Sequence, residues 1–175
     1  MPELTPSQTV GPYLELILPW PDGPTVVPEG TVGGFWIRGQ MFDGEGQPVP
    51  DGVIETWQAA PNGHLDAPGF RGFGRSATNG EGRWEVHTVK PGVVCTFDGR
   101  PQAPHLAVSV FARGLLDRVV TRIYFADETE ANAADPVLQA VESARRPTLV
   151  ARPAADGYTF DIHLQGDDET VFFDV

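Results

Sequence analysis

The feature that most constrains the fold is a series of short apolar runs, each bounded by a turn that contains glycine. Four such runs span residues 35–42, 53–57, 83–89 and 158–164. Glycine beside aspartate or asparagine, as in Asp43-Gly44 and Asn79-Gly80, favours a tight reversal of the chain. Runs of this length between such turns predict β-strands.

Several runs also alternate between their two faces. Trp84, Val86 and Thr88 share one face of a run, and Leu106, Val108 and Val110 share one face of another. Further candidate strands are residues 119–125 and 170–173. This period of two is typical of half-buried strands. Strands that are so numerous and evenly spaced predict an all-β sandwich and not an α/β fold.

One segment departs from the strand pattern. Between residues 127 and 146, Leu138 and Val141 stand at helical spacing behind Pro136. Proline is favoured in the first turn of a helix, and arginine is favoured near its end. We therefore expect a short helix near residues 136–146, with Pro147 ending it.

The first 31 residues contain seven prolines and little periodicity. Tyr13, Leu14 and Trp20 are nevertheless too apolar for a solvated tail. We expect residues 1–31 to form an extended N-terminal arm that packs on this domain or on a partner subunit. Residues 32–175 would then form the β-sandwich domain, which is a usual length for one domain.

Charge and composition exclude several classes of function. The net charge of −12 disfavours binding to nucleic acid or anionic lipid. No run approaches the roughly 20 apolar residues that cross a membrane. The single cysteine excludes an internal disulfide, and the N-terminus lacks the pattern of a signal peptide. These features predict a cytoplasmic protein.

Motifs for common catalytic sites are absent from the sequence. It contains no phosphate loop, CxxC, HExxH or GxSxG pattern. Its four histidines form no HxH or HxxxH pair, and a mononuclear metal site needs three or four converging ligands. We interpret His64, His87 and His163 as structural or surface residues. The sequence therefore predicts no complete metal site in this chain.

A set of segments, in this order and spacing, resembles the intradiol ring-cleaving dioxygenases. The resemblance is strongest to the alpha subunits of the two-chain members that cleave protocatechuate, and it runs nearly end to end. The segments that carry it are residues 5–13 (TPSQTVGPY), 39–44 (GQMFDG), 55–59 (ETWQA), 73–75 (FGR), 87–94 (HTVKPGVV), 103–105 (APH), 109–114 (SVFARG), 121–125 (TRIYF) and 169–174 (ETVFFD).

The resemblance implies a β-sandwich and a non-haem Fe(III) bound by two tyrosines and two histidines in the catalytic subunit. In this chain Leu65 and Val94 stand at the tyrosine positions, and Ala107 stands at one histidine position. Only His105 remains, and we interpret it as vestigial. The resemblance therefore implies that the Fe(III) is held by a partner beta subunit, within a higher hetero-oligomer.

The resemblance also implies what this chain contributes to catalysis. Thr9, Gly11, Pro12 and Tyr13 would line the substrate pocket of the beta subunit, where plain interface packing is the alternative. Arg113 would attract the carboxylate of the substrate, or would form an ion pair between the chains. The reaction would be cleavage of protocatechuate by O₂ to 3-carboxy-cis,cis-muconate, in the beta-ketoadipate pathway of aromatic catabolism.

Two other classes of function stay open at this point. One is a stand-alone intradiol enzyme, which the three missing ligands oppose. The other is a metal-free binding module with a transthyretin-like sandwich, because its turn pattern would be similar. A neighbouring coding sequence with both tyrosines and a His-x-His pair would decide between these classes.

Overall fold

The structure is a computed structural model that describes residues 18–96 and 98–174. Strands form most of its regular structure. They are β1 (Gly34–Phe42), β2 (Val53–Trp57), β3 (Phe73–Ala77), β4 (Arg83–Val89), β5 (Val94–Cys95), β6 (Pro101–Gln102), β7 (His105–Phe111), β8 (Val119–Phe125), β9 (Val150–Ala154), β10 (Gly157–Thr159) and β11 (Ile162–His163). Between β8 and β9 lie the helices α1 (Thr129–Ala134) and α2 (Pro136–Ala140) and a 3₁₀ helix (Arg146–Leu149).

Nine of the eleven described strands form two halves that share β9, and β5 and β6 form a separate two-stranded pair. In one half, β1 pairs with β4 on one side and with β10 and β11 on the other, and β10 pairs with β9. In the other half the order is β3-β2-β7-β8-β9. The start of β9 pairs with β8, and its end pairs with β10. This arrangement confirms the predicted all-β sandwich.

The main core lies between the two halves. Its buried residues include Ile37 and Val86 from one half and Ile54, Val108 and Ile123 from the other. The faces predicted from period-two alternation are confirmed, since Trp84 is 3% exposed and both Val86 and Thr88 are fully buried. Burying one side chain of this size contributes about 1.5 to 3 kcal/mol.

The helical region differs from the prediction in its length. A helix begins at Pro136 as expected, but it ends at Ala140 because Val141 has an extended backbone. Arg146 lies beyond this end and donates to the carbonyls of Gln139 and Val141. The separate helix α1 was not predicted. A proline disfavours helical backbone at the residue before it, and the extended Asp135 therefore separates the two helices.

Two predicted strands are interrupted or absent. The run 158–164 divides into β10 and β11, because the Asp161 carboxylate accepts the backbone N–H of Gln40 where a strand partner would do so. The predicted strand 170–173 is wrong, since this segment forms only one isolated bridge, between Phe173 and Val120. Hydroxyl groups of Thr121 and Thr148 bind the backbone of Val171 and replace strand pairing there.

The described part of the predicted arm packs on the sandwich of its own chain. Val26 and Val27 are buried in the main core, and the backbone N–H of Val26 donates to the carbonyl of His87 at 2.9 Å. The guanidinium of Arg75 holds the carbonyl of Leu18 at 2.9 Å. Packing of the arm on a partner subunit stays a prediction. No helix in residues 18–96 and 98–174 is long and apolar enough to span a membrane.

Candidate functional site

Three segments converge at one end of strands β2 and β7. The backbone N–H of Gly92 donates to the carbonyl of Ala60 at 3.0 Å, which joins the loop after β4 to the loop after β2. Strand β7 brings in the third segment, because its Ala107 lies opposite Trp57, the last residue of β2. The segments that carry Leu65, Val94, His105 and Ala107 therefore lie together, and we call this region the vacated end.

The side chains at the vacated end offer few donor atoms for a metal. Leu65 is 68% exposed, Ala107 is exposed, and Val94 is half-buried; none of them carries a nitrogen, an oxygen or a sulfur in its side chain. Within the described ranges, no group of three or more His, Cys, Asp or Glu side chains could hold a metal ion. Ferric iron needs several ligands at one point, and these residues do not fit it.

His105 is held as a neutral imidazole. Its Nδ1 lies 2.7 Å from the carbonyl oxygen of Ala103, which can only accept, so Nδ1 carries the proton. Its ring lies 5.5 Å from the ring of Tyr124. Burial, together with the nearby positive charge of Arg122, lowers the pKa of His105 to about 4. These contacts hold the imidazole ring of His105 in place.

A buried polar network supports the start of β7. The Asp135 carboxylate is fully buried and accepts from the backbone N–H of Ala103 at 2.8 Å and from the Tyr124 hydroxyl at 3.1 Å. Arg122 donates to Gln102 at 2.6 Å and to the Tyr124 hydroxyl at 3.3 Å. Burial raises the pKa of Tyr124, which keeps the phenol protonated as a donor.

Sequence reasoning missed this network, although one signal was present. Aspartate directly before a proline at a helix start is a common N-cap, and Asp135 also accepts from the backbone N–H groups of Val137 and Leu138. Its bonds to Ala103 and Tyr124 join positions more than ten residues away, which no local pattern indicates.

A cluster of ion pairs around Lys90 lies beside the loop that follows β4. The ammonium group of Lys90 donates to Asp127 and to Glu128, and it lies 5.0 Å from the ring centre of Phe125. Burial opposes the charge, but hydrogen bonds to Asp127, Tyr158 and Glu128 outweigh it and raise the pKa of Lys90. Lys90 therefore stays charged and fixes the start of the segment that carries Val94.

Arg113 lies far from the vacated end of its own chain. It lies two residues beyond Phe111, the last residue of β7, whereas His105 is the first residue of that strand. The six residue steps of the strand alone correspond to about 20 Å. The Arg113 side chain is 63% exposed, and its Nε lies 3.1 Å from the Asp51 carboxylate. Any role of Arg113 in a substrate pocket would thus be at a different place from the vacated end.

The other predicted pocket residues are Thr9, Gly11, Pro12 and Tyr13, and all four lie outside the described residues. The described chain begins beside three aromatic side chains, Trp20, Trp57 and Phe73, which we call the aromatic patch. The Phe73 ring lies 5.9 Å from that of Trp20 and 5.2 Å from that of Trp57. Trp57 is 54% exposed, and an exposed aromatic surface of this kind is typical of a protein interface.

Comparison with known proteins agrees with this geometry. A family model described as dioxygenase matches residues 19–166. The chain is 45% identical to the protocatechuate 3,4-dioxygenase alpha chain of Pseudomonas putida over an alignment of 196 positions, which covers 99% of this chain and 97% of that relative. It is 34% identical to the beta chain of the Burkholderia cepacia enzyme over an alignment of 155 positions, which covers 77% of this chain and 65% of that relative.

A solved structure shows the same fold. The dioxygenase domain of a dioxygenase and carbohydrate-binding fusion protein from Streptomyces sp. SirexAA-E superimposes with a TM-score of 0.61 and 26% sequence identity. The match covers 94% of this chain and 99% of that domain. With a family match over most of its length and an alpha-chain relative over nearly all of it, this chain belongs to the intradiol dioxygenase family.

Proposed function

We propose that this chain is the non-iron alpha subunit of a protocatechuate 3,4-dioxygenase. It pairs with an iron-bearing beta subunit, and the assembly cleaves protocatechuate with O₂ to 3-carboxy-cis,cis-muconate. The observation that carries the proposal is near full-length similarity to an alpha chain, combined with Leu65, Val94 and Ala107 at the vacated end. The reaction belongs to aromatic catabolism through the beta-ketoadipate pathway, and a cytoplasmic location stays a prediction.

The donor atoms of the side chains indicate which subunit binds the Fe(III). Side chains of leucine, valine and alanine cannot bind Fe(III), and one neutral histidine cannot hold it alone. The Fe(III) of the assembly is therefore assigned to the beta subunit. This chain is 34% identical to a beta chain. This similarity supports a pair in which both subunits have the same fold.

The contribution of this chain is to shape the substrate pocket of its partner. Thr9, Gly11, Pro12 and Tyr13 would line that pocket. The bond between Arg75 and the Leu18 carbonyl supports this assignment, because it fixes the position of Leu18, which follows these four residues in the sequence. The aromatic patch next to that point provides apolar surface for the partner.

Arg113 would bind the carboxylate of protocatechuate. A planar guanidinium binds a carboxylate through two parallel hydrogen bonds, and a local positive group is needed in a chain with a net charge of −12. An ion pair between the two subunits is the alternative. Arg113→Ala in the assembled enzyme should raise KM for protocatechuate; normal assembly with unchanged kinetics would reject the pocket role.

The decisive experiment compares this chain alone with the complex formed by co-expression with a beta subunit. We expect the complex to contain iron and to convert protocatechuate, as followed by O₂ uptake and by the loss of substrate absorbance. We expect this chain alone to contain no stoichiometric iron and to be inactive. Stoichiometric iron in this chain alone, or a complex with no activity towards protocatechuate, would overturn the proposal.

A further inference from the structure

Asp51 and Arg113 are brought together by the register of strands β2 and β7. Val53 lies opposite Phe111 in this antiparallel pair. Asp51 precedes Val53 by two residues and Arg113 follows Phe111 by two residues, so the register places them near each other just beyond the last ladder pair. The distance from Arg113 Nε to Asp51 Oδ2 is 3.1 Å. The strand pairing therefore brings together the two turns that carry these side chains.

The two side chains differ strongly in their exposure. The Asp51 side chain is only 10% exposed, whereas that of Arg113 is 63% exposed. The second carboxylate oxygen of Asp51, Oδ1, is buried and has no hydrogen-bond partner among the residues that the structure describes. A buried carboxylate is stabilised by hydrogen bonds or by a nearby cation, and Arg113 is the cation within 4 Å of Asp51 in the described part of the chain.

Asp51 stands on a rigid part of the sandwich. The backbone N–H of Gly52 donates to the Thr78 hydroxyl at 2.8 Å, and the N–H of Thr78 donates back to the Gly52 carbonyl at 2.9 Å. A Cβ atom at Gly52 would come within 2.7 Å of the Met41 sulfur, which shows how closely the backbone lies on the core. The carboxylate therefore has a fixed position, and the longer arginine adapts to it.

The geometry of the contact leaves part of the guanidinium available. Arginine carries five N–H donors in a planar fork, and Nε is the nitrogen of Arg113 that lies nearest to Asp51 in their ion pair. Within the described ranges this contact is an ion pair without a hydrogen bond, so the N–H donors of Arg113 stay available. A guanidinium drawn to one carboxylate on its Nε side can present its Nη groups to a second planar acceptor, such as another carboxylate.

We propose that Asp51 is a positioning residue for substrate binding. Its ion pair with Arg113, which lies nearest through Nε, orients the guanidinium so that the Nη groups face the carboxylate of protocatechuate in the assembled enzyme. This inference rests on the proposed function. A long exposed arginine loses rotamer freedom when it binds a ligand, and an arginine that is already ordered loses less. Asp51 therefore lowers KM without touching the substrate.

The test uses Asp51→Asn in the co-expressed complex and two substrates, protocatechuate and catechol, which lacks the carboxylate. We expect KM for protocatechuate to rise about fivefold and kcat to change less than about twofold, since the chemistry takes place on the partner. The KM of catechol, or its inhibition constant if turnover is slow, should stay unchanged. Asp117→Asn, an exposed aspartate near the same end of β7, is the matched control and should behave as wild type.

Two further variants keep the test decisive. Adding Asp51→Asn to Arg113→Ala should cause no additional rise in KM, because the aspartate acts through the arginine. Arg113→Lys retains the charge but lacks the Nε edge, and it should raise KM for protocatechuate nearly as much as Arg113→Ala. If Asp51→Asn fails to assemble, the KM of Arg113→Lys for protocatechuate tests the role of the contact between Asp51 and Arg113 instead.

Equal changes for both substrates, full additivity in the double variant, or a wild-type KM for Arg113→Lys would overturn the role of Asp51. The proposed function is tested separately by the wild-type complex. A wild-type complex that cleaves protocatechuate, together with an unaffected Asp51→Asn enzyme, would reject the positioning role alone.

Discussion

The buried carboxylate of Asp135 supports the start of β7, and its removal is the most informative perturbation of the fold. Asp135 accepts from four donors, namely the backbone N–H groups of Ala103, Val137 and Leu138 and the hydroxyl of Tyr124. Asp135→Ala would remove a helix cap, which costs about 1 kcal/mol. It would also leave the buried Ala103 N–H and Tyr124 hydroxyl without acceptors, at about 1 to 3 kcal/mol each.

The expected loss in the free energy of unfolding is therefore about 3 to 7 kcal/mol. Tyr124→Phe removes one of the four bonds and should cost about 1 to 2 kcal/mol. A matched control is Asp43→Ala, because Asp43 also accepts two backbone N–H groups, those of Glu45 and Gln47, but in an exposed turn. We expect the control to lose less than about 1 kcal/mol, since water can replace the lost acceptor.

Hydrogen–deuterium exchange mass spectrometry over a urea series suits this measurement, because it separates peptides of this chain from those of a partner. The peptide containing Ala103 and His105 should lose protection at a lower urea concentration in Asp135→Ala than in the wild type. A loss below about 1 kcal/mol for Asp135→Ala, or a loss no larger than that of Asp43→Ala, would refute the reasoning that burial makes these four bonds important.

Other predictions concern His105, Gly39 and Lys90. The imidazole of His105 has a pKa of about 4 in the fold and 6.5 as its reference value. The unfolded chain therefore binds more protons between these values, and stability should fall as pH drops from 6.5 to 4. We expect the free energy of unfolding, measured by urea titration, to fall by about 1 to 2 kcal/mol between pH 7 and pH 5. His105→Gln should make the free energy of unfolding less dependent on pH in this range. Gly39→Ala should prevent soluble expression, because its Cβ would lie 1.6 Å from the Phe160 carbonyl oxygen; a soluble variant of wild-type stability would contradict this. Lys90→Met should lower the midpoint of thermal unfolding by a few degrees, as expected for a partly exposed ion-pair cluster, and an unchanged midpoint would show that the cluster contributes nothing.

Local patterns predicted the strands well where each strand has one buried face. Trp84 and Val86 lie in the core as their spacing indicated. The pattern failed at residues 170–173, because alternation cannot show that threonine side chains elsewhere in the chain bind the backbone of Val171. It also missed α1, whose alanines carry no apolar stripe; no residue of that helix is buried.

The candidate site was predictable only in part. The donor-poor positions followed from a resemblance between sequences, and the structure shows that the segments carrying them meet at one end of β2 and β7. The contact between Asp51 and Arg113 joins residues 62 positions apart and depends on the register of β2 and β7, which composition and spacing do not determine. The Asp135 network likewise joins segments that are distant in sequence.

The length of β7 has a consequence for how such a subunit can diverge. His105 is the first residue of β7 and Arg113 lies two residues beyond its other end, with no described partner in common. Substitutions at sites that are so far apart usually have additive effects on stability. Selection can therefore relax at one end of the strand while it is maintained at the other. A duplicated subunit could lose its metal ligands one at a time at the start of the strand. Through every intermediate it would keep the function of the residues beyond the other end.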